Sequence, residues 1–134
     1  MNFMAKINQP SNLWGSQAIG DGTTIGAFAD IGDGVSIGFN CKIQCHVSIP
    51  PGVLIGDNVF IGPGTVFTND KNFNMKREFG ETIVESGAMI GANCTIGSGI
   101  KIGKNSIIGM GSVVTKSVPQ GETWYGNPAK KENG

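Results

Sequence analysis

The chain has 134 residues, the length of a single domain, and its ten lysine and arginine residues balance ten aspartate and glutamate residues. A chain without net charge lacks the broad basic surface that binds nucleic acid or an anionic membrane, so we expect neither as a partner. No apolar run is long enough to span a bilayer and the N-terminus lacks the pattern of a signal peptide, so we expect a cytoplasmic protein.

From residue 7 onward an apolar residue recurs at every sixth position, with one interruption. The seventeen positions are Ile7, Leu13, Ile19, Ile25, Ile31, Ile37, Ile43, Ile49, Ile55, Ile61, Phe67, Val84, Ile90, Ile96, Ile102, Ile108 and Val114. A glycine follows ten of them directly, and four residues after most of them stands a small or β-branched residue such as Thr23, Ala29 or Val35.

A period of six matches neither the 3.6-residue repeat of a helix nor the two-residue alternation of a strand. It matches a solenoid in which each hexad supplies a short strand and a corner, and three hexads close one triangular coil. The aliphatic residue then points into the prism, and we expect the glycine beside it to permit the tight corner. The sequence therefore predicts one all-β domain over residues 1–134, a parallel β-helix of about five to six stacked coils.

His46 is the only histidine, and it stands at the fourth position of its hexad, next to a corner. We therefore expect its ring to point outward, either as a solvated corner residue or as part of a site. The three cysteines form no CxxC pair, which favours free thiols. Cys41 and Cys94 occupy the inward small position and are predicted to lie in the core.

The repeat is interrupted between Phe67 and Val84, where 17 residues separate positions that should be six apart. We predict a looped-out insertion at about residues 68–83, polar and charged but carrying two phenylalanines. A long loop on a rigid scaffold is more often functional than accidental, so we favour a role in the site over a plain surface insertion.

After the last hexad the chain leaves the prism at Pro119, and residues 119–134 form a short tail. An uncovered last coil would expose strand edges, so we expect the tail to fold back across it.

Residues 109–119 (GMGSVVTKSVP) and 126–130 (GNPAK) resemble the C-terminal signature of the CoA-dependent hexapeptide-repeat acyltransferases. The resemblance, which extends over about residues 7–118 of the repeat, implies left-handed winding, acetyl-CoA as a co-substrate with no tightly bound cofactor, and a homotrimer. It also implies a CoA groove lined by Ala92, Met110, Thr115, Lys116 and Lys130. The 18-residue spacing of Ala92 and Met110 places one above the other on successive coils.

Residues 42–49 (KIQCHVSI) and 59–70 (VFIGPGTVFTND) resemble a narrower group, the N-acetyltransferases of nucleotide-linked 3-amino-3-deoxysugars. That resemblance implies that His46, Asn69 and Asp70 face the acceptor sugar at a subunit interface. It leaves open whether His46 is a general base or only orients the acceptor. The nucleotide, the sugar and the acyl chain are also open.

Sugar O-acetyltransferases of this fold carry a histidine in a T-x-x-H-P turn, and the matching residues 68–71 (TNDK) contain none. A hydroxyl needs a positioned base, whereas a neutral amine is already nucleophilic, so the sequence favours N-acetylation. Sugar O-acetylation and a non-catalytic β-solenoid used for assembly are the alternatives. A metal site is not expected, because γ-type carbonic anhydrases of this fold need three histidines for each zinc.

Overall fold

The computed structural model describes residues 4–69 and 80–133, and these residues contain strands and turns but no helix. Accordingly, no helix of the described residues is long and apolar enough to cross a membrane. The order of the strands along the chain is already that of a solenoid, because short strands and turns alternate at the spacing of the hexads.

The described residues form nineteen strands, most of them two residues long. They are β1 (Lys6–Ile7), β2 (Asn12–Leu13), β3 (Ala18–Ile19), β4 (Thr24–Ile25), β5 (Asp30–Ile31), β6 (Ser36–Ile37), β7 (Lys42–Ile43), β8 (Ser48–Ile49), β9 (Val53–Ile55), β10 (Phe60–Ile61), β11 (Val66–Phe67), β12 (Thr82–Val84), β13 (Met89–Ile90), β14 (Thr95–Ile96), β15 (Lys101–Ile102), β16 (Ile107–Ile108), β17 (Val113–Val114), β18 (Thr123–Gly126) and β19 (Ala129–Lys131).

Each strand of the prism pairs in parallel with the strands three places before and after it, so three hexads make one coil. The first sheet runs β1-β4-β7-β10-β13-β16-β18-β19, the second β2-β5-β8-β11-β14-β17 and the third β3-β6-β9-β12-β15. The register is the predicted 18 residues, with Ile25 opposite Ile43 and Ile31 opposite Ile49. The predicted left-handed parallel β-helix, of about six turns, is confirmed.

The prism interior is filled by the six-residue aliphatic series. From Ile25 onward its members are buried, and between them lie the small residues of the fifth hexad position, among them Thr23, Ala29 and Ser106. Alternation of bulky and small side chains lets successive coils interlock at the density of a protein core.

Two cysteines belong to this interior, as predicted. Cys41 and Cys94 are buried, and burial raises the pKa of both thiols. Each thiol donates to a corner carbonyl of the next coil, Cys41 Sγ to Gly56 O at 3.0 Å and Cys94 Sγ to Gly109 O at 3.2 Å. Cys45 is exposed.

The expectation about the corner glycines is wrong in its mechanism. The glycines that directly follow the aliphatic residues do not have a positive φ. They are needed for close approach, since a Cβ on Gly26 would lie 2.5 Å from the backbone nitrogen of Cys45 in the next coil. The left-handed residue is the fourth of the hexad, usually glycine or asparagine, as at Gly34 (φ 77°) and Asn40 (φ 56°).

The insertion leaves the prism after β11 and the prism resumes at β12. Residues 70–79 lie outside the described residues, so most of the predicted loop does too. Its predicted end at residue 83 is wrong, because Thr82 already pairs with Val53 and is buried at the small inward position. The hexad pattern thus restarts two residues earlier than the aliphatic series alone indicates.

The tail continues the first sheet before it turns back. Strand β18 pairs in parallel with β16, and β19 then pairs with β18 in antiparallel fashion. Trp124 packs against the core and Ala129 is buried, so the hairpin covers the last coil. The expected covering of this end by the tail is confirmed.

Candidate active site

The corner between the first and second sheets, here called the first corner, carries three of the predicted site residues. The left-handed residues along it are Phe28, His46, Gly64, Asn93 and Gly111. A backbone ladder holds them in one column, with Gly64 N donating to Cys45 O at 3.1 Å, Asn93 N to Pro63 O at 2.9 Å and Gly111 N to Ala92 O at 2.8 Å. Ala92 and Met110 therefore lie on successive coils, as their spacing predicts.

His46 is exposed on this corner with its ring outward, as expected. Its ring stacks on that of Phe28, one coil away, with centroids 5.1 Å apart and planes 9° apart. Its backbone is left-handed, with φ at 62°, a conformation in which histidine is several times more common than most residues. The stack fixes the imidazole on one face and leaves its edge in solvent, which suits a group that orients a ligand.

The corner between the second and third sheets, here called the second corner, carries Asn69, from which the insertion departs. Asn69 is half-buried, and its carbonyl accepts from Ser98 Oγ at 3.3 Å. The hydroxyl of the preceding Thr68 donates to Ile96 O at 3.1 Å. These contacts tie the start of the insertion to the next coil. Asp70 lies outside the described residues.

One chain does not bring His46 and Asn69 together. The second sheet separates the two corners, and one face of the prism is a hexad wide, at most about 20 Å at 3.3 Å per residue. Neither the exposed ring of His46 nor the second corner has a wall opposite it in the single prism. A pocket containing both residues therefore needs the first corner of one chain to meet the second corner of another.

The predicted CoA residues divide in the same way. Thr115, Lys116 and Lys130 line one cavity of about 280 Å³ at the C-terminal end of the prism, whereas Ala92 and Met110 lie on the first corner. The side chain of Met110 is 81% exposed, so it is available to a ligand or a neighbouring chain.

The C-terminal cavity is built by the tail hairpin. Trp124, Pro128 and Ala129 form its apolar wall, and three lysines surround it, including Lys131, which the sequence reasoning missed. Glu122 orders the wall, because Trp124 Nε1 donates to Glu122 Oε1 at 2.9 Å and Lys131 Nζ lies 3.5 Å from Glu122 Oε2. The sequence did not reveal Trp124 or Lys131, because only the hairpin pairing turns them toward Thr115.

Among residues 4–69 and 80–133, no cluster of three histidine, cysteine, aspartate or glutamate side chains is positioned to hold a metal ion. The described surface offers stacked rings, lysines, amides and backbone groups. Such groups bind and orient charged ligands, and they are the groups that acyl or phosphoryl transfer uses to stabilise negative charge.

Two family models match the chain. The model described as the hexapeptide repeat of succinyl-transferase matches residues 18–49 and 81–116, and the bacterial transferase hexapeptide model, of six repeats, matches residues 34–69. Together they cover the repeat on both sides of the insertion. No curated protein shows significant sequence similarity to the chain.

Among solved structures, the acetyltransferase domain of PglB from Neisseria gonorrhoeae matches with a TM-score of 0.87 and 22% identity. The match covers 98% of this chain and 58% of that one. AntD, an N-acyltransferase from Bacillus cereus solved with dTDP and coenzyme A, matches with a TM-score of 0.82 and 22% identity over 97% of this chain and 77% of that one. WeeI from Acinetobacter baumannii matches with a TM-score of 0.76 and 29% identity over 96% and 55%.

These similarities establish the fold, and they differ in extent. The chain spans little more than half the length of the PglB and WeeI chains that it matches, and about three quarters of AntD. The shared part in each case includes nearly the whole prism described above.

Proposed function

The chain belongs to the hexapeptide-repeat acyltransferase family, and from that membership we propose that it transfers an acetyl group from acetyl-CoA to the amino group of a nucleotide-linked amino sugar. A 3-amino-3-deoxyhexose is the proposed acceptor, and the cytoplasm the proposed location. The observation that carries the proposal is the C-terminal cavity, where Thr115, Lys116 and Lys130 converge on one side of Trp124.

The chemistry of this cavity suits the nucleotide end of CoA. Lys116 and Lys130 are exposed at its rim and can neutralise phosphate groups, while Trp124 and Pro128 offer apolar surface to the adenine ring. The pantetheine arm then needs small residues and free backbone groups, which the first corner supplies at Ala92 and Gly111.

An amine acceptor fits the acceptor residues better than a hydroxyl does. The amine nitrogen attacks the thioester carbonyl, the C–S bond breaks, and CoA leaves as the thiol after one proton passes from the nitrogen. Since the neutral amine is nucleophilic, its proton can leave late, and the site needs mainly orientation and an oxyanion donor. His46 and the residues at 69 and 70 are proposed to orient the sugar.

The names of similar structures support this acceptor class. AntD was solved with dTDP and coenzyme A, and a perosamine N-acetyltransferase from Caulobacter crescentus, with a TM-score of 0.58 and 22% identity, was solved with CoA and GDP-perosamine. Both bind a nucleotide or nucleotide sugar beside CoA, which is the pair of ligands proposed for this chain.

We propose that the active form is a homotrimer with three sites, each made by two neighbouring chains. The separation of His46 from Asn69 within one prism supports it, because a complete pocket needs a second chain. A second support is an apolar stripe on the outer face of the first sheet. Phe60, Met89 and Ile107 stand side by side there, and Met89 and Ile107 are 50% and 44% exposed.

Thermal unfolding with and without CoA tests the proposed donor. A ligand present at a hundred times its Kd stabilises the folded state by about 2.7 kcal/mol, so CoA should raise the melting temperature by several degrees. Lys116→Ala should reduce that shift, whereas Lys101→Ala, which removes an exposed lysine of the third sheet, should not.

Acetyl transfer to a panel of nucleotide-linked amino sugars, followed by mass spectrometry, tests the acceptor. The proposal expects a gain of one acetyl group on nitrogen. Transfer only to sugar hydroxyls would favour the O-acetyltransferase, and absence of both CoA binding and transfer would favour an assembly protein.

A further inference from the structure

Phe28 has a backbone conformation that few bulky residues adopt. Its φ is 62°, at the hexad position where the chain otherwise uses glycine, asparagine or, at His46, histidine. A left-handed phenylalanine is a strained exception, and such strain persists where the surroundings hold it, often at binding sites. The ring is nevertheless 57% exposed, so burial in the core does not explain its presence.

The two faces of the Phe28 ring have different neighbours. One face stacks on His46, with centroids 5.1 Å apart. Toward the N-terminal end of the prism the ring borders a notch of about 150 Å³, whose other walls are Pro10, Ser11, Asn12, Ala29 and Asp30. A space of about 150 Å³ holds one six-membered ring. The notch therefore has room for a single flat ring between Phe28 and Pro10.

Polar groups line the edge of this notch. Asp30 is exposed and its carboxylate is held in place by Trp14, whose Nε1 donates to Asp30 Oδ1 at 2.8 Å. The exposed amide of Asn12 lies next to it in register on the second sheet. A carboxylate that accepts and an amide that does both are groups that read the hydrogen-bonding edge of a base.

Basic residues lie beside the same corner. In the described N-terminal half, residues 4–69, the two basic residues are Lys6 and Lys42, and both stand on the first sheet. Each lies opposite Thr24 in the register, one coil on either side of it. Their ammonium groups can meet the phosphates of a ligand whose base lies in the notch.

We propose that this notch binds the pyrimidine base of the acceptor nucleotide, with the base stacked on Phe28 and its polar edge facing Asp30 and Asn12. The inference rests on the proposed function in requiring a nucleotide-linked acceptor. His46 lies one coil beyond Phe28, about 4.8 Å along the axis, and Ala92 and Met110 lie farther on. The acceptor thus enters the first corner from its N-terminal end and CoA from its C-terminal end.

Nucleotide binding in the absence of CoA tests the notch directly. Isothermal titration of the intact protein with UDP, dTDP, CDP, GDP and ADP should show tighter binding of one or more pyrimidine nucleotides than of the purine nucleotides. The comparison of UDP, dTDP and CDP then identifies the base. Purine binding as tight as the best pyrimidine binding, or no nucleotide binding at all, would overturn the assignment.

Phe28→Asn is the decisive variant, because asparagine is the residue that the chain itself uses at this position of other hexads, with φ near 56° at Asn40 and Asn93. The variant should fold and melt at the same or a higher temperature, and should bind the preferred nucleotide roughly tenfold or more weakly, as expected when a stacking ring is lost. Phe39→Asn is the matched control, since Phe39 is 54% exposed on another corner. Equal effects of the two substitutions on nucleotide affinity would contradict the assignment.

Asp30→Asn tests the polar edge independently of the stack. Replacing the carboxylate by an amide should weaken the preferred nucleotide several-fold, because hydrogen bonds to ionised acceptors are about twice as strong as neutral ones. Asp21→Asn, which changes an exposed aspartate on another corner in the same way, should leave the affinity unchanged.

Failure of this inference is distinguishable from failure of the proposed function. A protein that binds CoA and acetylates unlinked amino sugars, but binds no pyrimidine nucleotide, would retain the proposed chemistry and exclude the notch. A protein that binds pyrimidine nucleotides through Phe28 but neither CoA nor an acetyl group would retain the notch and exclude the proposed function.

Discussion

At the scale of single residues, the left-handed corner position separates structural side chains from candidate functional ones. Asparagine and glycine at this position satisfy the backbone, and the asparagine amides pack against the neighbouring coil, as Asn93 does above Gly64. His46 and Phe28 use the same backbone but present rings that are exposed and stacked. The fold alone therefore gives no reason for aromatic side chains at these two corners.

His46 and Asn69 should differ in how their loss affects catalysis. Because His46 is held by a stack on Phe28, we expect it to orient the sugar, and His46→Asn should act largely on KM. Asn69→Ala should lower kcat more, because the amide is proposed to align the attacking amine, and lost alignment raises the barrier. Steady-state kinetics of both variants with the nucleotide-linked acceptor measures the difference.

The opposite assignment makes a distinct kinetic prediction. If His46 were the general base, His46→Asn would lower kcat by roughly 100-fold or more. An inflection in the pH–rate profile of the wild type, in the range where imidazole titrates, would then disappear in the variant. Asparagine is a suitable replacement, since it accepts the same left-handed backbone as Asn40 and Asn93 do.

At the scale of elements, the insertion is the one interruption of an otherwise regular prism. Both of its ends are fixed, since β11 pairs with β8 and β14 while β12 pairs with β9 and β15. The coils on either side therefore do not depend on the inserted residues for their register. An insertion anchored at both ends of a rigid scaffold is well placed to contribute side chains to a site between chains.

Replacing residues 68–81 by a regular six-residue hexad should leave the fold and CoA binding intact and should abolish acetyl transfer. The physical reason is that the hexad restores the strand pairing but removes Asn69 and the rest of the proposed acceptor wall. Circular dichroism, the CoA-induced shift in melting temperature and acetyl transfer measure the three properties. Full activity in this variant would reduce the loop to a surface insertion.

At the scale of the whole molecule, the prism has no cleft between its own elements that joins the two groups of site residues. Its first corner carries His46, Ala92 and Met110, and its second corner carries Asn69, Thr115 and Lys116. Ligands of narrow solenoids bind where two of them meet, so assembly and activity should be linked.

Light scattering coupled to gel filtration should therefore give the mass of a trimer at micromolar concentration. Ile107→Lys, which puts a charge into the apolar stripe of the first sheet, should dissociate the trimer and abolish transfer together. Leu54→Lys is the control, because Leu54 is 37% exposed on the third sheet. A wild-type monomer with full activity would exclude a site made by two chains.

The sequence determined the fold to a large extent, because in this solenoid local spacing and tertiary pairing coincide. A six-residue series of aliphatic residues predicts both the inward face and the 18-residue register, and Ile25 does lie opposite Ile43. The stacking of Ala92 on Met110 and the burial of Cys41 and Cys94 were predicted for the same reason. The early restart of the prism at Thr82 was missed, since the aliphatic series begins again only at Val84.

The candidate site was predicted residue by residue from resemblance, but its arrangement was not. Spacing along the chain does not tell which corner a hexad occupies relative to an interruption, so the separation of His46 from Asn69 was decided only by the tertiary structure. The same holds for the stack of Phe28 on His46 and for Trp124 and Lys131 beside Thr115. These contacts join coils and strands that the sequence pattern treats as equivalent, and only their positions in the folded prism distinguish them.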